Sequence, residues 1–112
     1  MHDPRIDQLA RQLIRYSTAV RKGDRVMLDL YDAPNSIALA LIREVVKAKA
    51  VPVVKLHDTI VTRELMKHAD PESYAMLAKN NLDLIKEMDC YIATRGSHSA
   101  SARRSRSACR RR

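Results

Sequence analysis

Aromatic residues and glycine are scarce in this sequence, and each scarcity excludes a class of protein. The chain of 112 residues has no Trp, no Phe and only four Tyr, so its core must be built from aliphatic side chains. With only Gly23 and Gly96, it has neither the Gly-x-Gly-x-x-Gly pattern nor a phosphate-binding loop, which argues against nucleotide binding. A serine nucleophile with a base and an orienting group is not visible either.

Cysteines and long apolar runs are also scarce. Cys90 and Cys109 give neither a disulfide framework nor a metal-type spacing, and Cys90 is interpreted as a small buried hydrophobe. The longest purely apolar run covers residues 37–42, far short of the roughly 20 residues that span a membrane. The first residues lack the basic stretch and apolar segment of a secretory signal. We therefore expect a cytoplasmic protein with reduced thiols and no membrane contact.

The net charge of +8 comes from one end of the chain. Residues 97–112 hold six Arg and no acidic residue, whereas the rest has 15 Lys and Arg against 13 acidic residues, a net charge of +2. The same segment has no Leu, Ile, Val or Met, so we predict that residues 98–112 are disordered. Its arginines suit phosphate contacts, but no aromatic residue is interleaved to stack on bases, so nucleic-acid binding is the weaker interpretation.

Helical and strand patterns alternate along the rest of the chain. Asp3 with Pro4 suits the start of an amphipathic helix, and Asp70 with Pro71 repeats that arrangement. The periodicity predicts helices over residues 4–20, 36–49, 63–68 and from 71 onward, with a loop over 57–62 and a break near 80–81. Strands are predicted over residues 26–31, 51–56 and 89–94.

This alternation predicts an α/β fold with a small parallel sheet of three strands and about four helices. Pro52 cannot donate to a strand ladder, so it belongs at a strand start or on an edge strand. In the last helix the residues expected to face inward are Tyr74, Leu77, Ala78, Leu82, Ile85 and Met88. Three strands leave an open edge and a poorly covered face, which suits a fragment better than a finished protein.

Polar side chains follow each predicted strand. Ligands bind at the carboxyl ends of strands in open parallel sheets, so the candidate crevice is lined by Asp32, His57, Asp58 and Arg95. The alternative is that solvation and helix capping explain these loop residues. No His or Asp pair has the three or four spaced ligands of a zinc site, so we predict no metal ligand and no catalytic residue. Asp29 lies inside an apolar strand and is interpreted as an edge-strand or interdomain contact.

Four stretches, in their order and spacing, resemble the start of the aminopeptidase T family of thermophilic metalloaminopeptidases. They are residues 3–17, 20–26 (Val-Arg-Lys-Gly-Asp-Arg-Val), 47–53 (Lys-Ala-Lys-Ala-Val-Pro-Val) and 89–97 (Asp-Cys-Tyr-Ile-Ala-Thr-Arg-Gly-Ser). None is a specific motif alone. Together they make residues 1–97 resemble the amino-terminal domain of such an enzyme, with residues 98–112 as a tail.

The resemblance implies a three-layer, Rossmann-like amino-terminal domain followed by a domain whose Glu, His and Asp residues bind two divalent metal ions of the zinc or cobalt type. Those ions activate a water that releases single residues from the amino ends of peptides. Family members are longer, and none of their metal ligands matches a position here. We therefore expect this chain alone to bind no cofactor and to be inactive, and the full-length enzyme to form a homodimer.

Two features depart from the family. Lys49 stands where the family usually has Gly at a helix end, so Lys49 is expected either to take an unfavoured conformation or to extend the helix. The likeness stops after Ser97, and a change of reading frame would produce such an Arg- and Ser-rich tail. Two alternatives of another class stay open: a small basic nucleic-acid-binding protein, and a Rossmann-like interaction module that pairs with a partner through its sheet edge.

Overall fold

The computed structural model describes residues 3–95 and 105–109, with no side-chain description for 105–107. In chain order the elements are α1 (Pro4–Arg11), a π-helical turn (Gln12–Ser17), β1 (Arg25–Tyr31), α2 (Asn35–Lys47), β2 (Val51–His57), α3 (Thr59–His68), α4 (Pro71–Lys86), β3 (Cys90–Arg95) and β4 (Ser105–Cys109). The α/β fold class is as predicted. The three predicted strands lie within one residue of their predicted bounds.

The strands form one sheet in the order β2-β1-β3-β4. β1 is parallel to both of its neighbours, and β4 is antiparallel to β3. The sheet is therefore mixed and four-stranded, which corrects the expectation of three parallel strands. Because the chain leaves β1 toward β2 on one side and returns to β3 on the other, the order reverses between β1 and β3, as in doubly wound folds.

One face of the sheet carries the hydrophobic core. Val26, Leu28 and Leu30 alternate along β1 toward this face and are at most 1% exposed. They pack with apolar residues of α1, the π-helical turn, α2 and β3, namely Ala10, Leu13, Ile14, Ala38, Leu41, Val45, Cys90 and Ile92. All these side chains are aliphatic or cysteine, as the composition predicts, and each large one buried contributes about 1.5–3 kcal/mol.

The first helix begins as predicted and ends differently. Asp3 Oδ1 accepts the backbone N–H of Arg5 at 2.9 Å, which satisfies one of the free amides of the first turn. The predicted helix over 4–20 widens into the π-helical turn at Gln12–Ser17. It then ends near Ala19, whose φ of 52° is left-handed.

The connection from β2 to β3 contains α3 and α4. α3 begins at Thr59, so the predicted loop over 57–62 is mostly helix, and α4 continues to Lys86 without the predicted break. Lys55 of β2 donates a hydrogen bond to Asn81 of α4 and ties the helix to the sheet. Within the described residues, no helix is both long and apolar enough to cross a membrane.

The inward face predicted for α4 is wrong, because α3 and α4 contain no buried residue. The exposed apolar residues of these helices are Ile60, Val61, Leu65, Met66, Tyr74, Met76, Leu77, Leu82 and Ile85. Of the predicted inward set, only Met88, just beyond α4, is buried. The sheet face that they oppose carries Asp29, Lys55 and His57, so it offers the helices no continuous apolar surface.

The carboxyl-terminal segment contributes a strand where disorder was predicted. Ser105–Cys109 pair with β3 in the register Cys90↔Cys109 to Thr94↔Ser105. Cys90 and Cys109 form a disulfide, whereas the sequence predicted reduced thiols. Backbone pairing needs no apolar side chain, so a composition argument does not detect it. The remainder of the predicted disordered tail lies outside the described residues.

Candidate functional site

A buried carboxylate lies at the centre of the polar face of the sheet. Asp29 is 7% exposed and lies in β1, between β2 and β3, so the edge-strand half of its interpretation is wrong and the interdomain half stays a prediction. Its Oδ2 accepts the phenol O–H of Tyr91 at 2.6 Å and that of Tyr31 at 3.2 Å. Its Oδ1 is hydrogen-bonded to Nε2 of His57. Three donors from three strands therefore offset the cost of burying this carboxylate.

Three side chains stack across the sheet above Asp29. Tyr31 pairs in register with His57 on β2 and with Arg95 on β3. The Tyr31 and His57 rings lie 4.2 Å apart at 11°, and the Arg95 guanidinium carbon lies 5.2 Å from the Tyr31 ring centroid. Parallel pairing places these residues side by side at the carboxyl ends of their strands. The stack therefore fixes the imidazole and the guanidinium at the edge of the sheet where the strand order reverses.

The two tyrosines at this site remain hydrogen-bond donors over a wide pH range. Burial, the Asp29 charge and the hydrogen bond to it raise the pKa of Tyr31. Burial and then the hydrogen bond to Asp29 raise the pKa of Tyr91 further above the usual value of a phenol. A neutral phenol next to a carboxylate keeps its proton, so both hydroxyls donate to Asp29 at neutral pH.

Of the four predicted crevice residues, the structure brings together His57 and Arg95, on either side of Tyr31. Asp32 and Asp58 have helix-start roles, as the capping interpretation proposed. Asp58 Oδ1 accepts the N–H groups of Ile60 and Val61 at the start of α3.

Asp32 orients the short connection between β2 and α3. Its φ of 54° is left-handed, and its carboxylate accepts the N–H of Thr59 at 3.0 Å and the Oγ1 hydroxyl of Thr59 at 2.6 Å. The Asp32 N–H donates to the carbonyl of His57 at 2.9 Å. Asp32 therefore joins the ends of β1 and β2 and holds His57 in place from the backbone side.

Tyr31 and Tyr91 were not predicted as site residues, and the predicted edge position of Asp29 is wrong. One signal was present: in a strand, residues two apart share a face, so Asp29 and Tyr31 on β1 and Tyr91 and Arg95 on β3 form two polar pairs. Which strands are neighbours was not known, so the pairs could not be joined into one cluster.

The acidic groups at this end of the sheet do not fit a two-metal centre. Asp29 is occupied by two phenols and an imidazole, while Asp32 and Asp58 accept hydrogen bonds from the loop and from α3. Two-metal hydrolases need several carboxylate and imidazole ligands that converge on ions about 3.5–4 Å apart. We therefore derive no metal-dependent step from these residues.

The basic groups at this end of the face are hydrogen-bond donors. The exposed Arg95 guanidinium and the half-buried His57 imidazole lie on either side of the Tyr31 ring. Lys55 precedes His57 by two residues on β2 and shares its face of the sheet. Guanidinium and imidazole groups of this kind bind carboxylates and peptide carbonyls. We name the set Asp29, Tyr31, His57, Tyr91 and Arg95 the Asp29 cluster.

No protein-family model matches this chain, and no curated protein matches it in sequence.

Proposed function

We propose that this chain corresponds to the amino-terminal α/β domain of a metal-dependent aminopeptidase of the aminopeptidase T type. In this proposal the Asp29 cluster faces the crevice between this domain and the metal-binding domain. The cluster positions the peptide or the neighbouring domain, while a later part of the enzyme carries the two metal ions and the hydrolysis. The chain alone has no aminopeptidase activity.

The observation that carries the proposal is the backbone of Lys49. The resemblance places a family Gly at this position, and Lys49 has a left-handed φ of 59°, a conformation that Gly adopts without steric cost. Its N–H donates to the carbonyl of Val46 at 2.9 Å, and the N–H of Ala50 donates to that of Val45 at 3.1 Å, so the residue ends α2. The family's Gly therefore fits this backbone better than the Lys found here.

The architecture supports the same proposal. The parallel core β2-β1-β3 is the start of a doubly wound sheet, in which a further parallel strand is expected beside β3. Here β4 occupies that edge in the antiparallel direction. The exposed apolar face of α3 and α4 is a surface that a larger enzyme buries against its remaining part.

The proposal is tested with two proteins and one assay. The pure chain, supplied with Zn²⁺ or Co²⁺, should release no amino-terminal residue from short peptides. Residues 1–97 continued by a downstream reading frame that encodes spaced Glu, His and Asp should release them in a metal-dependent manner. Activity of the chain alone would overturn the assignment of catalysis to the later part, and an inactive longer protein with bound metal would overturn the peptidase assignment.

One observation favours the interaction module as a second candidate. Nine large apolar side chains are exposed on α3 and α4, and no residue of either helix is buried. Exposed apolar side chains in this number are typical of surfaces that contact another protein or domain. A contact through this helical face, rather than through the sheet edge that the sequence analysis considered, is the form of this candidate that the structure supports.

A further inference from the structure

At the other end of the sheet, a second group of side chains brings two sulfur atoms and a carboxylate together. Cys90 begins β3, Cys109 ends β4 directly opposite it, and Asp24 precedes β1. One ligand atom from each of the three lies within 4.8 Å of the others. Among the described residues this is the one set of three metal-ligating side chains that converges.

The surroundings hold these three groups in position. Cys90 is 1% exposed, and Cys109 and Asp24 are half-buried. Asp24 Oδ2 lies 3.4 Å from Cys90 Sγ and accepts the backbone N–H of Arg21 at 2.8 Å, so the carboxylate is oriented by its own turn. Cys109 Sγ lies 3.0 Å from the carbonyl oxygen of Thr18.

We propose that Asp24, Cys90 and Cys109 form a zinc site when the disulfide between the cysteines is reduced. Two thiolates and a carboxylate are a donor set that Zn²⁺ accepts, with a water as the fourth ligand. Softer thiolate ligands favour Zn²⁺ over Mg²⁺ or Ca²⁺, which need oxygen ligands. The site lies at the amino ends of β1 and β3, away from the Asp29 cluster. It belongs to the chain of 112 residues, because the longer protein proposed above would replace the segment that contains Cys109.

The disulfide and the metal exclude each other. A dithiol reductant supplies two electrons and two protons, which break the S–S bond and give two thiols, while the dithiol itself becomes a disulfide. Zinc binding then releases the two thiol protons to solvent as the two Zn–S bonds form. Two Zn–S bonds of about 2.3 Å at a tetrahedral angle place the sulfurs about 3.8 Å apart, so the cysteine side chains must separate by rotation.

The test is a metal titration of the full chain in both redox states. The chain is reduced with a phosphine, which leaves no competing thiol, and is titrated with Co²⁺ and then Zn²⁺. We expect one Co²⁺ per chain with a thiolate-to-metal charge-transfer absorption that Zn²⁺ abolishes. The oxidised chain should show no such absorption. A reduced chain without the absorption would overturn the proposal.

Variants identify the ligands. Cys109 ends the edge strand β4 and is only partly buried against the core, and Cys109→Ser should weaken Co²⁺ binding by about a hundredfold or more. Asp24→Asn should weaken it by about tenfold or more, whereas Asp83→Asn, an exposed acid on α4, should leave it unchanged. Equal affinity of the wild type and Asp24→Asn, or a full charge-transfer absorption in Cys109→Ser, would overturn the three-ligand site. Circular dichroism of each variant confirms that it is folded.

Discussion

At the residue scale, the polar face of the sheet depends on one buried carboxylate. Asp29 accepts hydrogen bonds from Tyr31, Tyr91 and His57, so removal of any donor changes a shared network rather than one pair. Composition gave no indication of this arrangement. With four Tyr in the chain, two of them converge on a single side chain.

Tyr91→Phe tests that network. It removes the 2.6 Å hydrogen bond to Asp29, and we expect a loss of about 1.5 kcal/mol in the free energy of unfolding, the lower end of the range for a bond to a charged group, because Tyr91 is half-buried. Tyr74→Phe, on the exposed face of α4, is the matched control and should cost less than about 0.5 kcal/mol. Chemical denaturation measures both, and an equal loss in the two variants would contradict the network.

The same tyrosines predict a pH dependence. Their pKa values are raised in the folded protein, so their contribution to stability is fully present below the unfolded pKa of about 10 and is lost as the pH rises through the folded pKa. Stability should therefore fall above pH of about 10, and Tyr91→Phe should reduce that slope. In a titration followed by the ultraviolet absorbance of tyrosinate, the step at the highest pH should be absent in Tyr91→Phe. An unchanged titration curve at high pH would contradict the assignment.

Substitution of Lys49 by Gly is predicted to raise stability, whereas Tyr91→Phe is predicted to lower it. Because Lys49 has a left-handed φ of 59°, Lys49→Gly should stabilise the chain by about 0.5–1 kcal/mol, after the higher entropy of Gly in the unfolded state is counted. Lys47→Gly, the control at the last residue of α2, should destabilise the chain by up to about 1 kcal/mol, because it lowers helix propensity and removes the ion pair of Lys47 with Glu44. Thermal unfolding of the two variants measures the pair, and a loss of stability in both would show that Lys49 is not strained.

At the scale of elements, the sequence predicted the features that depend on local patterns. It did not predict the features that depend on packing against a distant part of the chain. The strands and the helix starts at Asp3 and Asp70 follow from neighbours in the chain. The helix expected to bury Tyr74 and Leu82 is present but exposed, since its periodicity says which side is apolar and not what covers it.

The candidate site divides in the same way. Strand ends mark His57 and Arg95 as rim residues once a parallel sheet is assumed. The roles of Asp29 and Tyr91 need the strand order, which comes from tertiary packing. β4 needs the pairing of backbone groups, which its composition of Ser, Arg, Ala and Cys does not reveal.

The Cys90–Cys109 bond fastens β4 to the edge of β3. The two cysteines are separated by 19 in sequence, and a disulfide that closes a loop of this size stabilises the folded state by about 3 kcal/mol, because it lowers the entropy of the unfolded chain. Reduction in the absence of metal should therefore speed hydrogen exchange of the β3 amides that face β4 and leave those of the β1–β2 ladder unchanged. Hydrogen exchange followed by mass spectrometry measures both. Equal exchange before and after reduction would contradict the role of the disulfide in holding β4.

At the scale of the whole molecule, the described chain has one covered and one uncovered side. The core lies under α1 and α2, whereas the α3 and α4 face leaves nine large apolar side chains in solvent. Such a surface has a cost in water, and it is typical of surfaces that contact another domain or a partner.

Self-association tests that surface. We expect the chain to form dimers or larger species as its concentration rises, and the double variant Leu65→Gln and Leu77→Gln to reduce the effect, since each residue is more than half exposed. A paired substitution at the exposed positions Gln8→Ala and Arg5→Ala on α1 serves as control. Light scattering that shows a monodisperse monomer for the wild type at all concentrations would contradict the expectation.

The central claim is that residues 1–97 correspond to the amino-terminal domain of a metal-dependent aminopeptidase, and the most direct test is to sequence the encoding DNA from codon 90 through several hundred bases beyond codon 112. The account predicts that another reading frame continues from the region of Ser97 into a long segment with spaced Glu, His and Asp residues. If no frame encodes such a segment, the claim is contradicted, and the apolar face of α3 and α4 becomes the best lead to function.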